Sequence, residues 1–390
     1  MRTVRLLAVA QAFSAAGMMT MFIFGGIVGS ELAPSPQLAT LPLSLVIVGL
    51  ALATVPAALA MQRFGRRRAF IGSALLAAAA GVAAAGAIVV GSFALLCAAS
   101  VALGANLAFQ QQQRFAAAES VPAEQASRAI SVLMLGTLAA ALVGPQLALA
   151  SRALLPQHEY AGSFLTVAVL CLAAAAVLTR YRPPAAPVSE TGGAARPLRA
   201  VVRQPAFLVA VAASVAAYSV MSFVMTATPI SMHVHDHHSD AHTAWVIQSH
   251  VLAMYAPSLV SGRLIARTGV RAGMLGGLAL LASGVIVDSS GRALGHYWWG
   301  LVLLGLGWNL LFVGGTTLLT SSYRPAERYR AQAFNEFAVF GAQATASLLA
   351  GPALHALGWT RMNLATVPLL AAFALILLAR PSALSDRETR

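Results

Sequence analysis

The chain reads as long apolar runs separated by short polar turns. Runs of about 18–25 residues recur from one end to the other, the length a helix needs to cross the hydrocarbon core of a bilayer. Twelve are found, near residues 4–29, 38–61, 69–91, 93–114, 127–150, 161–180, 206–231, 243–265, 271–289, 295–319, 329–353 and 362–379. In lipid, only helices and closed barrels satisfy their own backbone polar groups. The pattern therefore predicts an all-α membrane protein with twelve transmembrane helices.

The apolar pattern also repeats. Gly104-x-Asn106-Leu107-x-Phe109 in the fourth run matches Gly307-x-Asn309-Leu310-x-Phe312 in the tenth, displaced by 203 residues. Pro122-Ala123-Glu124 matches Pro325-Ala326-Glu327 at the same displacement. Arg63-Phe64-Gly65 matches Arg267-Thr268-Gly269 at a displacement of 204. Six spans followed by six in the same orientation is the parallel-repeat plan of many secondary transporters. The expected division is a six-helix bundle over 1–182, a cytoplasmic linker over 183–203 and a second six-helix bundle over 204–390. The linker is marked by Pro, Ala, Ser and Gly between about Pro183 and Pro197.

Composition supports this class and charge adds an orientation. Of 390 residues, 58% are hydrophobic and 9% charged, far too few charges for a soluble chain of this length. The net charge of +13 comes with no lysine; all 25 basic residues are arginine. With the N-terminus in the cytoplasm, Arg63, Arg66, Arg67, Arg68, Arg180, Arg182, Arg196, Arg199, Arg203 and the groups around Arg267 and Arg328 fall inside. Only Arg152, Arg292 and Arg361 fall outside. That is the positive-inside distribution, so the basic balance reports topology and not a nucleic-acid partner. Both termini are expected in the cytoplasm, and the first run is expected to be a retained helix. Cys97 and Cys171 lie in separate spans with no pairing logic. No phosphate-binding loop, Cys-x-x-Cys metal module or nucleophile constellation is present, which argues against an enzyme and against an ATP-driven pump.

Several motifs resemble those of the major facilitator superfamily. Ala58-x-x-x-Gln62-Arg63-x-Gly65-Arg66-Arg67-Arg68 resembles that family's signature between its second and third helices. Gly262-x-x-x-Ala266-Arg267-x-Gly269-x-Arg271 is the second copy, and Gly136 with Gly144-Pro145 resembles the glycine-proline motif of the fifth helix. Ala58 and Gln62 stand where the family pattern has Gly and Asp, so the acid of its cytoplasmic gate pair is missing from that position. The resemblance implies a secondary transporter of the inner membrane of a bacterium, built of two pseudo-symmetric halves.

The candidate chemistry lies in the seventh and eighth runs. Met221-x-x-x-Met225 and His250-x-x-x-Met254 each place two side chains on one helical face. The two pairs sit at matching depth, roughly 12–18 Å below the intervening turn at ~1.5 Å per residue. Thioether and imidazole together suit copper, above all Cu(I). The methionines also serve as flexible core filler, but a histidine inside an apolar span is costly and tends to mark function. Between the pairs lie His233, His235, His237, His238 and His242 with Asp236 and Asp240, which read as a metal-collecting entry or as a solvated turn. These residues make the chain resemble the CcoA-like copper importers of the superfamily. The resemblance implies copper as transported substrate, no organic cofactor, supply of cytochrome oxidase assembly, and periplasmic or cytoplasmic copper chaperones as partners beside the lipid bilayer. The rival expectation is a facilitator that exports small organic molecules, with the Met and His residues in packing or aromatic contacts. Met18, with Met19 and Met21, is the counterpart of Met221 by the repeat and reads as core or as a further ligand. Glu336 is an acid well inside the eleventh run, either a proton-coupling group or a brace of the inward gate. Asn106 and Asn309 read as interhelical hydrogen-bond partners.

Overall fold

A computed structural model describes residues 1–122, 125–183 and 196–379. The first six apolar runs become α1 (Arg2–Leu32), α2 (Leu41–Phe64), α3 (Arg66–Val90), α4 (Phe93–Ala118), α5 (Ala126–Ser151) and α6 (Ala161–Leu178). A short α7 (Leu198–Val202) precedes α8 (Pro205–Pro229), the seventh span. The eighth is split into α9 (Asp240–Tyr255) and α10 (Ser258–Thr268) at Pro257, which has no N–H to continue the ladder. The ninth and tenth are α11 (Val270–Ser290) and α12 (Leu294–Thr320). Then α13 (Arg328–Leu364) and α14 (Val367–Ala379) carry the last two. They divide at Gly358, whose φ of 69° and ψ of 171° interrupt α13. No strand is present among the described residues.

Ten stretches of the described chain are long and apolar enough to cross a membrane, and one of these, Arg330–Ala379, spans 50 residues. That stretch holds two crossings, and the broken eighth span supplies the other. The twelve-span reading therefore holds. Ala123 and Glu124 of the repeat, and 184–195 of the expected linker, lie outside the described residues.

Local signals fix the helix ends. Ser92 caps α4 by accepting a hydrogen bond from the Leu95 N–H at 3.3 Å, relieving an orphan donor of the first turn. Gly65 joins α2 to α3 at φ 78° and ψ 151°, and Gly269 joins α10 to α11 at φ 87° and ψ 153°. A side chain rarely adopts such torsions, which is why glycine stands at both corners.

The chain forms two compact units. The first is Met1–Ala186 with Thr226–Gln248 and Ala350–His355; the second is Pro187–Met225, Ser249–Leu349 and Ala356–Arg390. In the first, α1 packs on α5 and α6, α2 on α4, and α3 on α4 and α6. Approach is close where side chains are smallest: a β-carbon at Gly104 would collide with the Val46 carbonyl, and one at Gly49 with the Val101 carbonyl. Small residues let helices in lipid gain contact energy without a hydrophobic drive. In the second unit α11 packs on α12, and α10 on both. Gly307 approaches the Gly277 carbonyl of α11, so the repeated glycine faces a different kind of neighbour from Gly104.

The histidine-rich turn is shorter than the sequence suggests. Residues Ile230–His235 continue α8 as a π-helical turn, and α9 begins at Asp240. His233 and His235 are therefore helical and His242 lies in the first turn of α9. Only His237 and His238 belong to the connection itself.

Candidate functional site

Met221, Met225, His250 and Met254 all belong to the second unit and are 5%, 9%, 0% and 6% exposed. His250 and Met254 lie on the face of α9 that meets α12. The Nδ1–H of His250 donates to the Leu301 carbonyl at 2.7 Å; a carbonyl only accepts, so that nitrogen carries the proton. One turn on, a β-carbon at Gly305 would lie 2.7 Å from the His250 oxygen and 3.2 Å from the Met254 nitrogen. One turn further, Asn309 Nδ2 donates to the Met254 carbonyl at 2.8 Å and to Ser258 Oγ at 2.6 Å. Leu301, Gly305 and Asn309 thus form one stripe, at a spacing of four, that locks α12 to α9 and the start of α10. His250 meets this stripe through its ring and Met254 through its backbone N–H and carbonyl. Among the described residues no group of three or more His, Cys, Asp or Glu side chains is arranged to hold a metal ion.

Beside the stripe sits an aromatic cluster that the metal reading passed over. Trp308 and Phe312 of α12 stack with ring centroids 4.9 Å apart at 9°. Tyr218 of α8 meets Trp308 edge-on at 5.1 Å, Phe312 at 6.0 Å and Phe340 of α13 at 6.0 Å. Tyr255, at the end of α9, meets Trp308 at 5.8 Å. These offset and edge-to-face arrangements are the ones ring quadrupoles favour. Trp308 is 2% exposed and Phe340 7%, while Tyr218, Tyr255 and Phe312 are half-buried. Trp308 Nε1 has no hydrogen-bond partner. Met221 and Met225 follow Tyr218 by three and seven residues, on its face of α8, and Met254 precedes Tyr255 directly.

In the first unit α4 buries three amide side chains among its apolar ones. Asn106, Gln110 and Gln113 are 2%, 3% and 3% exposed, and Gln110 Nε2 and Gln113 Oε1 lack partners. Met18, Met19 and Met21 of α1 are buried at 4%, 4% and 0%.

Charged residues cluster at the helix ends. In the first unit, Asp240 is 4% exposed and pairs with Arg152. It accepts from the Tyr160 hydroxyl at 3.3 Å, and His233 Nδ1 lies 3.1 Å from its other oxygen. Burial and the Asp240 charge push the Tyr160 phenol well up from its ordinary value. Of the entry histidines, His235, His237 and His242 are exposed and His233 and His238 half-buried; His238 and His242 stand 6.3 Å apart. At the opposite helix ends, Arg66 grips Glu119 with two hydrogen bonds of 2.5 and 2.9 Å. Glu119, just past α4, thus gives Arg66 the carboxylate that Gln62 lacks. In the second unit Arg196 grips Glu327 through Nε and Nη2, both at 2.7 Å. Glu336 is half-buried in α13. Asp288, near the end of α11, is 1% exposed, a third buried acid beside Asp240 and Glu327 that its place at the edge of an apolar run concealed.

The model of the Major Facilitator Superfamily matches residues 7–239 and 213–390. A relative named riboflavin transporter RfnT, from Brucella anthropi, is 43% identical over 384 residues, covering 97% of this chain and 96% of its own length. An uncharacterised transporter of the superfamily from Bacillus subtilis, YddS, is 28% identical, covering 85% of this chain and 80% of its own. The fold matches a bacterial homologue of the human lysosomal transporter Spinster, inward-facing and occupied, with a TM-score of 0.71 at 15% identity over 97% of this chain and 96% of that one. It also matches an autoinhibited peptide transporter of the POT family, with a TM-score of 0.69 at 14% identity over 100% and 98%. The copper-importer expectation is overturned by the first of these relatives, a transporter named for an organic molecule that matches nearly end to end. The structure gives His250 a packing role that the metal reading did not weigh: its Nδ1–H ties α9 to the Leu301 carbonyl, while Nε2 is buried without a partner.

Proposed function

We propose that this chain, which belongs to the major facilitator superfamily, carries riboflavin or a close structural relative across a bacterial inner membrane. It is a multi-pass membrane transporter and not an enzyme, as the family and its transporter relatives establish. The observation that carries the substrate assignment is the 43% identity, spread over 97% of the chain, to a riboflavin transporter. Identity at that level over nearly the full length supports a shared substrate class, whereas shared fold alone would not.

The arginine distribution supports cytoplasmic termini, which puts the α8–α9 turn and its histidines on the periplasmic side. The expected halves, 1–182 and 204–390 with the linker 183–203 between them, are the two six-helix bundles of this transporter. Met221, Met225, His250 and Met254 act in the second of these as the packing that holds the aromatic residues in place. Glu336 acts as a brace near the cytoplasmic end of α13.

The test is growth and uptake. A bacterium unable to make riboflavin and lacking its own carrier should grow on low external riboflavin when it expresses this chain, and should accumulate labelled riboflavin. If it does neither, and vesicles of either orientation show no riboflavin movement, the assignment fails.

A further inference from the structure

We infer that the aromatic cluster of the second unit is the surface on which the transported molecule's planar ring system stacks, with Tyr218 and Tyr255 as its contacting faces. This rests on the flavin reading above and specifies where that substrate is recognised.

Three observations carry it. The first is asymmetry between the halves. At the displacement of 203, the positions of Tyr218, Tyr255, Trp308, Phe312 and Phe340 correspond to Ala15, Leu52, Ala105, Phe109 and Thr137. The same helices pack in the first half with one aromatic ring where the second half has five. The fold itself therefore does not require the cluster. The second is convergence: the five rings come from α8, α9, α12 and α13. Four helices meet only inside a bundle, so the half-exposed rings do not face surrounding lipid.

The third is the division of labour among the rings. Trp308 is 2% exposed and stacked on Phe312, with Tyr218 and Tyr255 both set edge-on against it at 71° and 68°. The tryptophan is the fixed wall that orients the two tyrosines, and the tyrosines remain half-buried. A fused, electron-poor heterocycle such as isoalloxazine stacks well on electron-rich phenol rings. Trp308 Nε1 is a donor without a protein acceptor, and indole N–H groups normally find one when buried. Met221, Met225 and Met254 are buried and neighbour these rings in sequence, adaptable packing that leaves the contact with the guest to the tyrosines.

Stacking on tyrosine and tryptophan quenches flavin emission, so binding is read directly. The purified full chain in detergent is titrated with riboflavin, with lumichrome (the ring system without its polyol chain), with 9-aminoacridine as an unrelated planar probe, and with ribitol as competitor. The wild type should quench riboflavin and lumichrome, and ribitol should not displace them. Tyr218→Leu and Tyr255→Leu should each weaken binding about tenfold or more and reduce the quenching at saturation. Tyr218→Phe and Tyr255→Phe should stay within about threefold of the wild type, which separates loss of a stacking face from a folding defect. Unchanged affinity and quenching in both leucine variants, in a protein that does transport riboflavin, overturns the ring site and leaves the functional reading intact. If the wild type neither binds nor transports riboflavin, the functional reading fails. The ring site then stands only if 9-aminoacridine or lumichrome binds and loses affinity in the same two variants.

Discussion

The imidazole of His250 and the backbone carbonyl of Leu301 are joined by a 2.7 Å hydrogen bond between helices whose partners lie 51 residues apart in sequence. His250 is fully buried, so its replacement removes the second hydrogen bond to the Leu301 oxygen, beside that of the helix ladder, and leaves a cavity. His250→Ala should lower stability by about 2–4 kcal/mol, seen as a reduced melting temperature in detergent. Copper accumulation by cells expressing wild type or variant should be the same. A copper deficit specific to the variant would restore the metal reading.

Gly305 lies one turn below that bond, with the backbone of α9 against it. Gly305→Leu should destabilise by about 1–3 kcal/mol through overpacking and should reduce the amount of folded protein. Gly341, in α13, has nothing within 4 Å of where a β-carbon would sit. Gly341→Ala should be neutral or gain up to about 1 kcal/mol. Equal melting temperatures for the two variants would show that the α9–α12 contact is not tight.

The Glu327 carboxyl is held well below the usual carboxylate range, chiefly by its hydrogen bonds from Arg196. A group whose folded value is depressed stabilises above its unfolded value and loses that contribution as pH falls through the folded one. Glu327→Gln should therefore melt earlier than wild type at neutral pH, with the gap closing only as the solution becomes strongly acid. A gap independent of pH would mean that the ion pair contributes nothing beyond its neutral hydrogen bonds.

Asp240 gathers Arg152, Tyr160 and His233 around one buried carboxylate. Asp240→Asn removes the charge while keeping the shape. It should cost about 2 kcal/mol, the scale of a hydrogen bond to a charged group. It should also bring the Tyr160 phenol down toward its ordinary value, because a neighbouring negative charge no longer opposes ionisation. An alkaline titration followed by tyrosinate absorbance, with Tyr160→Phe as reference, reads this shift. An unchanged titration would show that burial alone sets the Tyr160 value.

Glu336, as a brace, should when changed to Gln lower riboflavin uptake by a similar factor at every external pH. Loss of pH dependence with exchange preserved would instead mark it as the proton carrier.

The helices were legible because a bilayer imposes one length and one chemistry on every crossing. Most span ends fell within a few residues of α1 through α12. One break was missed although its signal is in the chain: Pro257 ends α9. The other, at Gly358, falls in the expected gap between the runs 329–353 and 362–379. The π-helical turn at Ile230–His235 was not legible; polarity there resembles a loop, and the turn packs against α1, a contact no local pattern announces. The substrate was misread for a different reason. Met221, Met225, His250 and Met254 make a local pattern at a spacing of four, which a sequence displays openly. Tyr218, Tyr255, Trp308 and Phe340 stand on four helices, and only Trp308 and Phe312 share a local spacing. A constellation assembled by folding leaves little trace along the chain, and a buried histidine does not announce whether its partner is an ion or a carbonyl.

Gly65 and Gly269 turn the chain through nearly the same torsions, 78° and 151° against 87° and 153°. The residues that follow have drifted apart: Arg66-Arg67-Arg68 in one case, Val270-Arg271-Ala272 in the other. Nothing lies within 4 Å of a β-carbon built on Gly65, so crowding does not preserve it; the backbone angle alone does. Mutation can rewrite any neighbouring side chain, but at such a corner only one amino acid turns without strain. The two halves therefore share one corner geometry at these joints, and an exchange of hairpins between the halves would find its natural seams there.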